Sequence, residues 1–111
     1  MNPLSKSAAT YQNLSPEQFA EGLRDARAVL LDVRRPGEFA QGHLPGACNI
    51  DVQSPGFASR VLNLDPTRPT YVYCRSGARS AGAAKQLKGA GFGHVFNLGG
   101  GILDWPFSVT R

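Results

Sequence analysis

Residues 71–80 read YVYCRSGARS and join an apolar run to a cysteine and then to a polar loop. The β-branched and aromatic side chains at 71–73 predict a buried strand. The segment SAGAAKQLKG at 80–89 is rich in good helix formers and predicts a helix. Cys74 therefore stands where a strand ends and a short loop leads into a helix N-terminus.

This position favours a reactive thiolate at Cys74. The first backbone N–H groups of a helix lack internal partners and favour an anion placed against them. Arg75 and Arg79 add positive charge, and Gly77 can adopt the positive φ that a tight loop requires. These features lower a thiol pKa, and the thiolate is the nucleophilic form. We predict that Cys74 is a nucleophile for anionic substrates, in a loop formed by Arg75, Ser76, Gly77, Ala78 and Arg79. The alternative, a buried structural cysteine, needs neither the cations nor the small residues.

The composition indicates one globular domain. The chain has 111 residues, 41% hydrophobic and 18% charged, which suits a single core. We expect residues 1–10 to form a flexible N-terminal tail and residues 11–111 to form the domain. The apolar runs are too short to span a bilayer, and residues 1–10 lack the apolar segment of a signal peptide. A cytoplasmic protein with no membrane partner is therefore expected.

Charge and cysteine content narrow the class of function. The net charge of +4 favours anionic small molecules or an acidic partner surface, whereas the scattered arginines do not indicate a nucleic-acid partner. Two cysteines in an intracellular chain are expected to be reduced. No paired-cysteine or HExxH motif is present, so no metal site is predicted. Cys48, in a short predicted strand, is expected to be a small core residue, and His43 a structural hydrogen-bonding residue.

The order of predicted elements indicates an α/β fold. Strands are predicted at 11–14, 29–33, 48–50, 71–73 and 95–98, and helices at 15–25, 36–41, 54–64 and 80–89, with a last helical turn ending near 105. The first helix begins with a capping box of Ser15 and Gln18. Alternating strands and helices predict a mainly parallel sheet with helices on both faces.

Sites in such sheets lie at the carboxyl ends of strands, where Asp32, Arg34 and Cys74 fall. Asp32 is expected to pair with an arginine, and both Arg34 and Arg79 are candidates. Glu38 is expected to be a structural anion.

Several segments together resemble the single-domain rhodaneses, which are thiosulfate sulfurtransferases. They are VLLDVR at 29–34, EF at 38–39, GHLPGACNI at 42–50, YCRSGARS at 73–80 and LGGGILDW at 98–105. The resemblance covers about residues 14–105 and implies a five-stranded parallel sheet with helices on both faces. It implies that Cys74 carries a persulfide sulfur between thiosulfate and a thiophilic acceptor, cyanide or a thiol. It also implies that loop 75–79 cradles that sulfur, that Arg75 and Arg79 bind the anionic donor, and that Asp32 and Arg34 organise the surrounding loops. No metal or organic cofactor is implied.

Two other functions would also use a cysteine at this position. Rhodanese-like phosphatases and arsenate reductases also place an arginine after the cysteine, but the phosphatase relatives have one more loop residue than the four between Cys74 and Arg79. Alternatively, Cys74 could hand its persulfide to a partner protein as a sulfur-delivery module. The C-terminal sequence WPFSV at 105–109 departs from the family, whose members commonly continue through a glycine and a proline-containing strand end.

Overall fold

The computed structural model describes residues 10–111, so residues 1–9 of the predicted tail lie outside the described part. The strands are β1 (Gln12–Leu14), β2 (Val29–Asp32), β3 (Cys48–Asn49), β4 (Thr70–Tyr73) and β5 (Val95–Leu98). The helices are α1 (Pro16–Gly22), α2 (Pro36–Gln41), α3 (Phe57–Val61) and α4 (Ala78–Gly89), followed by a 3-10 helix at Ile102–Asp104.

The five strands form one parallel sheet in the order β1-β5-β4-β2-β3. This confirms the predicted α/β fold. In the register, Asp32 at the end of β2 lies beside Tyr73 at the end of β4. The two central strands therefore end together, and the Cys74 loop begins at the edge where β2 delivers Asp32.

The sheet separates two apolar clusters, with helices on both faces. Along β4, the side chains of Val72 and Cys74 enter one cluster, which also contains Phe57 of α3 and Leu87 of α4. Tyr71 and Tyr73 enter the other cluster with Phe19 of α1. This alternation is the two-residue period of a strand, and it confirms the prediction of a buried strand at 71–73.

The helix boundaries differ from the predictions in three places. The capping box at Ser15 is present, but α1 ends at Gly22 rather than near residue 25. The third helix is shorter than the predicted 54–64 because residues 54–56 form a turn, in which the Ser54 hydroxyl accepts a hydrogen bond from the Gly56 amide at 3.2 Å. The fourth helix begins at Ala78, two residues earlier than predicted.

The prediction for Cys48 is wrong, because its side chain is exposed. It lies in β3, a two-residue strand at the edge of the sheet that pairs only with β2. An edge strand this short is not covered by a neighbour, so a small apolar residue in it need not enter the core.

The C-terminal segment returns to the loop that follows α2. The amide of His43 donates to the Thr110 carbonyl, and the Thr110 amide donates to the His43 carbonyl, each at 2.8 Å. The ring of His43 stacks on Phe39, and its Nδ1 lies 2.9 Å from the Phe39 carbonyl oxygen. The predicted structural role of His43 is thus confirmed. Within residues 10–111, no helix is long and apolar enough to cross a membrane.

Candidate active site

The Cys74 thiol is held by donors from the loop and helix that follow it. Its sulfur accepts a hydrogen bond from the Gly77 amide at 3.1 Å and another from the Ser80 hydroxyl at 3.3 Å. Cys74 is 1% exposed, so these donors surround a buried sulfur. The predicted convergence of backbone N–H groups on this cysteine is therefore present.

The chain can curl around the sulfur because Gly77 adopts a left-handed conformation. Its φ is +101°, which favours glycine, and it is the N-cap residue directly before α4. A Cβ atom at this position would meet the Gly99 carbonyl oxygen, from the loop after β5. Both the backbone angle and the close approach of Gly99 therefore require glycine here.

The surroundings lower the pKa of the Cys74 thiol below its ordinary value. Burial alone raises the pKa, because it penalises the charged thiolate. The opposing causes are the hydrogen bond from the Ser80 hydroxyl, followed by the backbone amides of Ser80, Gly77 and Ser76. Their combined effect is larger than that of burial, so the geometry favours the nucleophilic thiolate.

The 3-10 helix holds the outer side of the loop. The Ile102 amide donates to the Cys74 carbonyl at 2.9 Å, and the Leu103 amide donates to the Arg75 carbonyl at 3.1 Å. Gly101, with φ +67°, leaves no room for a Cβ because the Arg75 carbonyl lies against it. The last helical turn of the chain thereby fixes the backbone carbonyls of Cys74 and of the residue that follows it.

The two arginines of the loop have different environments. The Arg79 guanidinium donates to both carboxylate oxygens of Glu38, at 2.8 and 3.0 Å. That ion pair lowers the pKa of Glu38 to about 2 and raises the pKa of Arg79. Arg75 is exposed, and its side chain makes no hydrogen bond or ion pair with any residue from 10 to 111. Arg75 is therefore the loop cation whose charge is not compensated.

A buried network connects the ends of β2 and β4 to the loop after α2. Asp32 accepts hydrogen bonds from Arg34 at 2.6 Å and from the Tyr73 hydroxyl at 2.7 Å. Arg34 also donates to the Gly42 carbonyl at 2.7 Å, and Tyr73 accepts from the Leu44 amide at 3.0 Å. Burial and the hydrogen bond to Asp32 raise the pKa of Tyr73, so its hydroxyl keeps its proton and donates. Of the two predicted partners of Asp32, the structure selects Arg34.

Two residues of the site were not predicted as such, Ser80 and Tyr73. Ser80 lies six residues after Cys74, and its hydroxyl reaches the sulfur because α4 starts at Ala78. The sequence contained a signal for this contact: a serine in the first helical turn after the cysteine, where polar side chains commonly point back into the preceding loop. Tyr73 carried only the signal of a strand residue, and its hydroxyl contact depends on the register between β2 and β4.

Comparisons with known proteins show the family to which the chain belongs. Residues 15–106 match the model of the rhodanese-like domain family. The chain is 40% identical over 95 residues to the thiosulfate sulfurtransferase GlpE of Pseudomonas entomophila, covering 86% of this chain and 84% of that protein. It is 39% identical over 93 residues to a sulfurtransferase of Allochromatium vinosum, covering 83% and 85% of the two chains.

A similar structure is known. The crystal structure of a rhodanese-related protein from Thermoplasma volcanium aligns with a TM-score of 0.80 and 25% identity, covering 90% of this chain and 98% of that one. The parallel sheet places the chain among the α/β domains, in which ligand sites lie at the carboxyl ends of the strands. The Cys74 loop lies at such an end, that of the central strand β4. This chain belongs to the rhodanese-like sulfurtransferase family.

Proposed function

We propose that this protein is a thiosulfate sulfurtransferase that carries sulfane sulfur on Cys74 as a persulfide. The observation that carries the proposal is the Cys74 sulfur itself, which accepts hydrogen bonds from the Gly77 amide and the Ser80 hydroxyl. These donors stabilise the Cys74 thiolate that attacks the donor, and the same thiolate when it leaves as the persulfide is discharged. The similarity to proteins named as thiosulfate sulfurtransferases supports this assignment.

The proposed reaction has two half-reactions. In the first, the Cys74 thiolate attacks the outer sulfur of thiosulfate, the S–S bond of the donor breaks, and sulfite leaves with the bonding electron pair. In the second, a thiophilic acceptor such as cyanide or a thiol attacks the outer sulfur of the persulfide, and Cys74 leaves as a thiolate. Arg75 is the better placed of the two loop arginines to meet the anionic donor, since Glu38 compensates Arg79.

Sulfur transfer is favoured over phosphoryl or arsenate chemistry by the size of the loop. Four residues separate Cys74 from Arg79, and the Arg79 side chain binds Glu38 instead of lying free for a tetrahedral oxyanion. The sulfur-delivery alternative uses the same Cys74 chemistry and differs only in the acceptor. The two free cysteines support the further expectation of a reducing, cytoplasmic compartment.

Intact mass tests the proposal directly. The protein is incubated with thiosulfate, weighed, treated with cyanide and weighed again. We expect a gain of one sulfur atom, which is then lost as thiocyanate. Cys48→Ser should behave like the parent chain, because Cys48 is exposed on the edge strand β3, which β2 separates from β4, whereas Cys74→Ser should gain no sulfur. A gain that survives Cys74→Ser would show that the site is wrong, and no gain in the parent chain would reject thiosulfate as the donor.

A further inference from the structure

A groove lies beside the Cys74 loop, where the 3-10 helix and the C-terminal segment face α2. Its volume is about 450 Å³, and its walls include Arg34, Glu38, Arg75, Leu103 and Val109. That volume is in the range of sites for small molecules. The groove is joined to the reactive loop, because the Leu103 amide donates to the Arg75 carbonyl, one residue after Cys74.

The charges in the groove leave one cation uncompensated. Arg34 is bound to Asp32 at 2.6 Å, and Glu38 is bound to Arg79 at 2.8 Å. Each of these pairs is neutral in sum. Arg75 has no such partner among residues 10–111, so it gives the groove a net positive charge.

The opposite wall is apolar and faces solvent. Leu103 is 63% exposed and Val109 is 53% exposed, and Ile102 lies beside them. Large apolar side chains grouped on a surface mark a site that another apolar group covers. A groove with apolar walls and a few placed polar groups is typical of a small-ligand site.

We propose that this groove binds the sulfur acceptor and that the acceptor is a small thiol with an apolar stem and an anionic group. The inference rests on the persulfide chemistry proposed above. The stem packs on Leu103 and Val109, and the anionic group pairs with Arg75. The anionic end of thiosulfate and that of the acceptor then occupy the same place in turn, which a two-step exchange through one cysteine allows because the first product leaves before the acceptor binds.

The transfer step balances without a further reactant. The acceptor thiolate attacks the outer sulfur of the Cys74 persulfide and forms a new S–S bond. The bond between that sulfur and the Cys74 sulfur breaks, and its electron pair stays on Cys74 as the thiolate. The proton that the acceptor thiol gave up passes to the outer sulfur, which loading had left unprotonated, and the acceptor leaves as a persulfide.

The test measures discharge of the preloaded persulfide by three thiols of different charge. The thiols are 3-mercaptopropionate, 2-mercaptoethanol and cysteamine, and the loaded protein is followed by intact mass. Because the thiols differ in intrinsic reactivity, each variant is compared with the parent chain through the ratio of its mercaptopropionate and cysteamine rates. We expect Arg75→Gln to lower this ratio about three-fold, Arg75→Lys to retain most of it, and the matched charge removal Lys85→Gln on α4 to leave it unchanged.

The outcomes separate this inference from the proposed function. If the parent chain does not load sulfur, the proposed function fails before the acceptor is tested. If it loads sulfur but Arg75→Gln and Lys85→Gln give the same ratio, the groove does not select anionic thiols and the inference is overturned. Leu103→Ser gives a second test, since it should slow discharge by 6-mercaptohexanoate more than discharge by 3-mercaptopropionate. If Leu103→Ser slowed discharge by the two thiols equally, the apolar wall would not bind the stem of the acceptor.

A second observation concerns Asn97, a buried residue of β5 beneath the Cys74 loop. Asn97 is 2% exposed, and its Nδ2 donates to Asn13 Oδ1 at 2.9 Å and to the Gly77 carbonyl at 3.4 Å. The Gly77 carbonyl can only accept, so it fixes the orientation of the amide. The Oδ1 atom of Asn97 then has no hydrogen-bond partner within the described residues. Such a buried orphan acceptor is costly and calls for a reason.

The same Gly77 carbonyl competes for the hydrogen of Ser80. The Ser80 hydroxyl lies 3.3 Å from the Cys74 sulfur and 3.3 Å from the Gly77 carbonyl oxygen. A hydroxyl has one hydrogen to donate, so it cannot satisfy both acceptors at once. The donor that occupies the carbonyl therefore influences where the hydrogen of Ser80 goes.

We infer that Asn97 is a positioning residue, which donates to the Gly77 carbonyl and so directs the Ser80 hydroxyl to the Cys74 sulfur. The orphaned Oδ1 is the consequence of this orientation. Asn97 touches neither the sulfur nor a substrate, and it acts only through Gly77 and Ser80.

A double-mutant cycle tests this role. In a Cys48→Ser background, the pKa of Cys74 is obtained from the pH dependence of alkylation by iodoacetamide in the parent, Asn97→Leu, Ser80→Ala and the double variant. We expect Asn97→Leu to raise the pKa and to slow alkylation near neutral pH about three-fold. Ser80→Ala should raise it more, and adding Asn97→Leu to Ser80→Ala should change nothing further.

Two results would overturn the inference. One is an Asn97→Leu variant with an unchanged pKa, and the other is a pair of effects that add in the double variant. A purely structural role would give the additive result, because loss of packing at Asn97 does not depend on the Ser80 hydroxyl. If Asn97→Leu does not fold, the smaller Asn97→Ala removes the same donor and enters the same cycle.

Discussion

At the residue scale, the Ser80 hydroxyl is the side-chain group that most strongly stabilises the Cys74 thiolate. It is 3.3 Å from the sulfur, and among the causes that lower the pKa it ranks above the backbone amides. We expect Ser80→Ala to raise the pKa of Cys74 and to slow its alkylation below that pKa about ten-fold, since a hydrogen bond to a charged group contributes about 1.5–3 kcal/mol. The measurement is the pH profile of alkylation by iodoacetamide. Ser59→Ala, on the exposed side of α3, is the matched control, and equal profiles for the two variants would contradict the prediction.

The Glu38–Arg79 ion pair should make the stability of the fold depend on acid pH. The folded pKa of Glu38, about 2, lies below its unfolded value. Its stabilisation is therefore fully present above the unfolded pKa and is lost as the pH falls toward the folded value. Because both side chains are about a quarter exposed, 29% and 26%, we expect only about 1 kcal/mol from the pair.

Urea unfolding of the parent chain and Glu38→Gln at two pH values measures this contribution. At about pH 6 the parent should be more stable by roughly 1 kcal/mol, and at about pH 2.5 most of the difference should disappear. Glu17→Gln, at an exposed position of α1, serves as the control. If the free energies of unfolding of the parent chain and Glu38→Gln differed by the same amount at both pH values, the pair would act through packing rather than charge.

Single residues show where sequence reasoning succeeded and where it stopped. The position of Cys74 and the need for glycine at 77 were predictable, because both follow from a cysteine between a strand and a helix. The partners of the arginines were not, since Arg34 and Arg79 both follow sheet strands and either could reach Asp32. The choice depends on the position of Glu38 on α2, which binds Arg79 from 41 residues away. Side-chain pairing across elements is fixed by the fold and not by spacing along the chain.

At the scale of elements, the turn from the Cys74 loop into α4 depends on Gly77. Its φ of +101° and the approach of the Gly99 carbonyl both oppose a side chain. We expect Gly77→Ala to destabilise the fold by about 2 kcal/mol or more and to slow sulfur loading, because relief of the clash moves the amide that binds the sulfur. Thermal unfolding and intact mass after thiosulfate treatment report the two effects.

Gly82 gives the opposite expectation in the same helix. It lies in the interior of α4 with open space around its Cα, so Gly82→Ala should stabilise the protein by about 0.5–1 kcal/mol. If Gly77→Ala stabilised the protein as Gly82→Ala should, helix propensity rather than the left-handed turn would determine the effect at Gly77.

The limits of elements were predicted less well than their existence. All five strands and four helices were expected, because short apolar runs alternate with helical segments. The third helix was overestimated, since the helical spacing of Phe57 and Val61 continues into residues where a Ser-Pro-Gly turn and a C-terminal cap determine the backbone. Cys48 was misplaced for a related reason: a two-residue edge strand carries no periodic signal that tells which face is covered.

At the scale of the whole molecule, the parallel topology was predictable from the order of elements, but the strand order was not. Periodicity alone does not say that β4 lies between β5 and β2. That central place matters for function, because it puts Cys74 within reach of residues from both halves of the chain. Asp32 and Glu38 approach from before β4, and Asn97 and Ile102 from after it.

The positive charge of the molecule should steer the anionic donor. With a net charge of +4, the protein attracts thiosulfate, and salt screens that attraction over about 10 Å at 0.1 M. We expect the second-order rate of sulfur loading to fall about three-fold between roughly 20 mM and 300 mM salt. Alkylation of Cys74 by neutral iodoacetamide should change much less. If salt lowered the rates of loading and alkylation equally, it would act on the thiol or the fold and not on the association of thiosulfate with the protein.

Two variants then distinguish the net charge from its local arrangement. Arg75→Gln and Lys85→Gln each lower the net charge from +4 to +3. Because screening confines the attraction to about 10 Å, Arg75, which is next to Cys74, should contribute more to the attraction than Lys85, which lies about two helical turns into α4. We therefore expect Arg75→Gln to flatten the salt dependence of loading and Lys85→Gln to leave most of it. Equal slopes would assign the steering to the molecule as a whole, and the loop cation would then have no special part in capturing the donor.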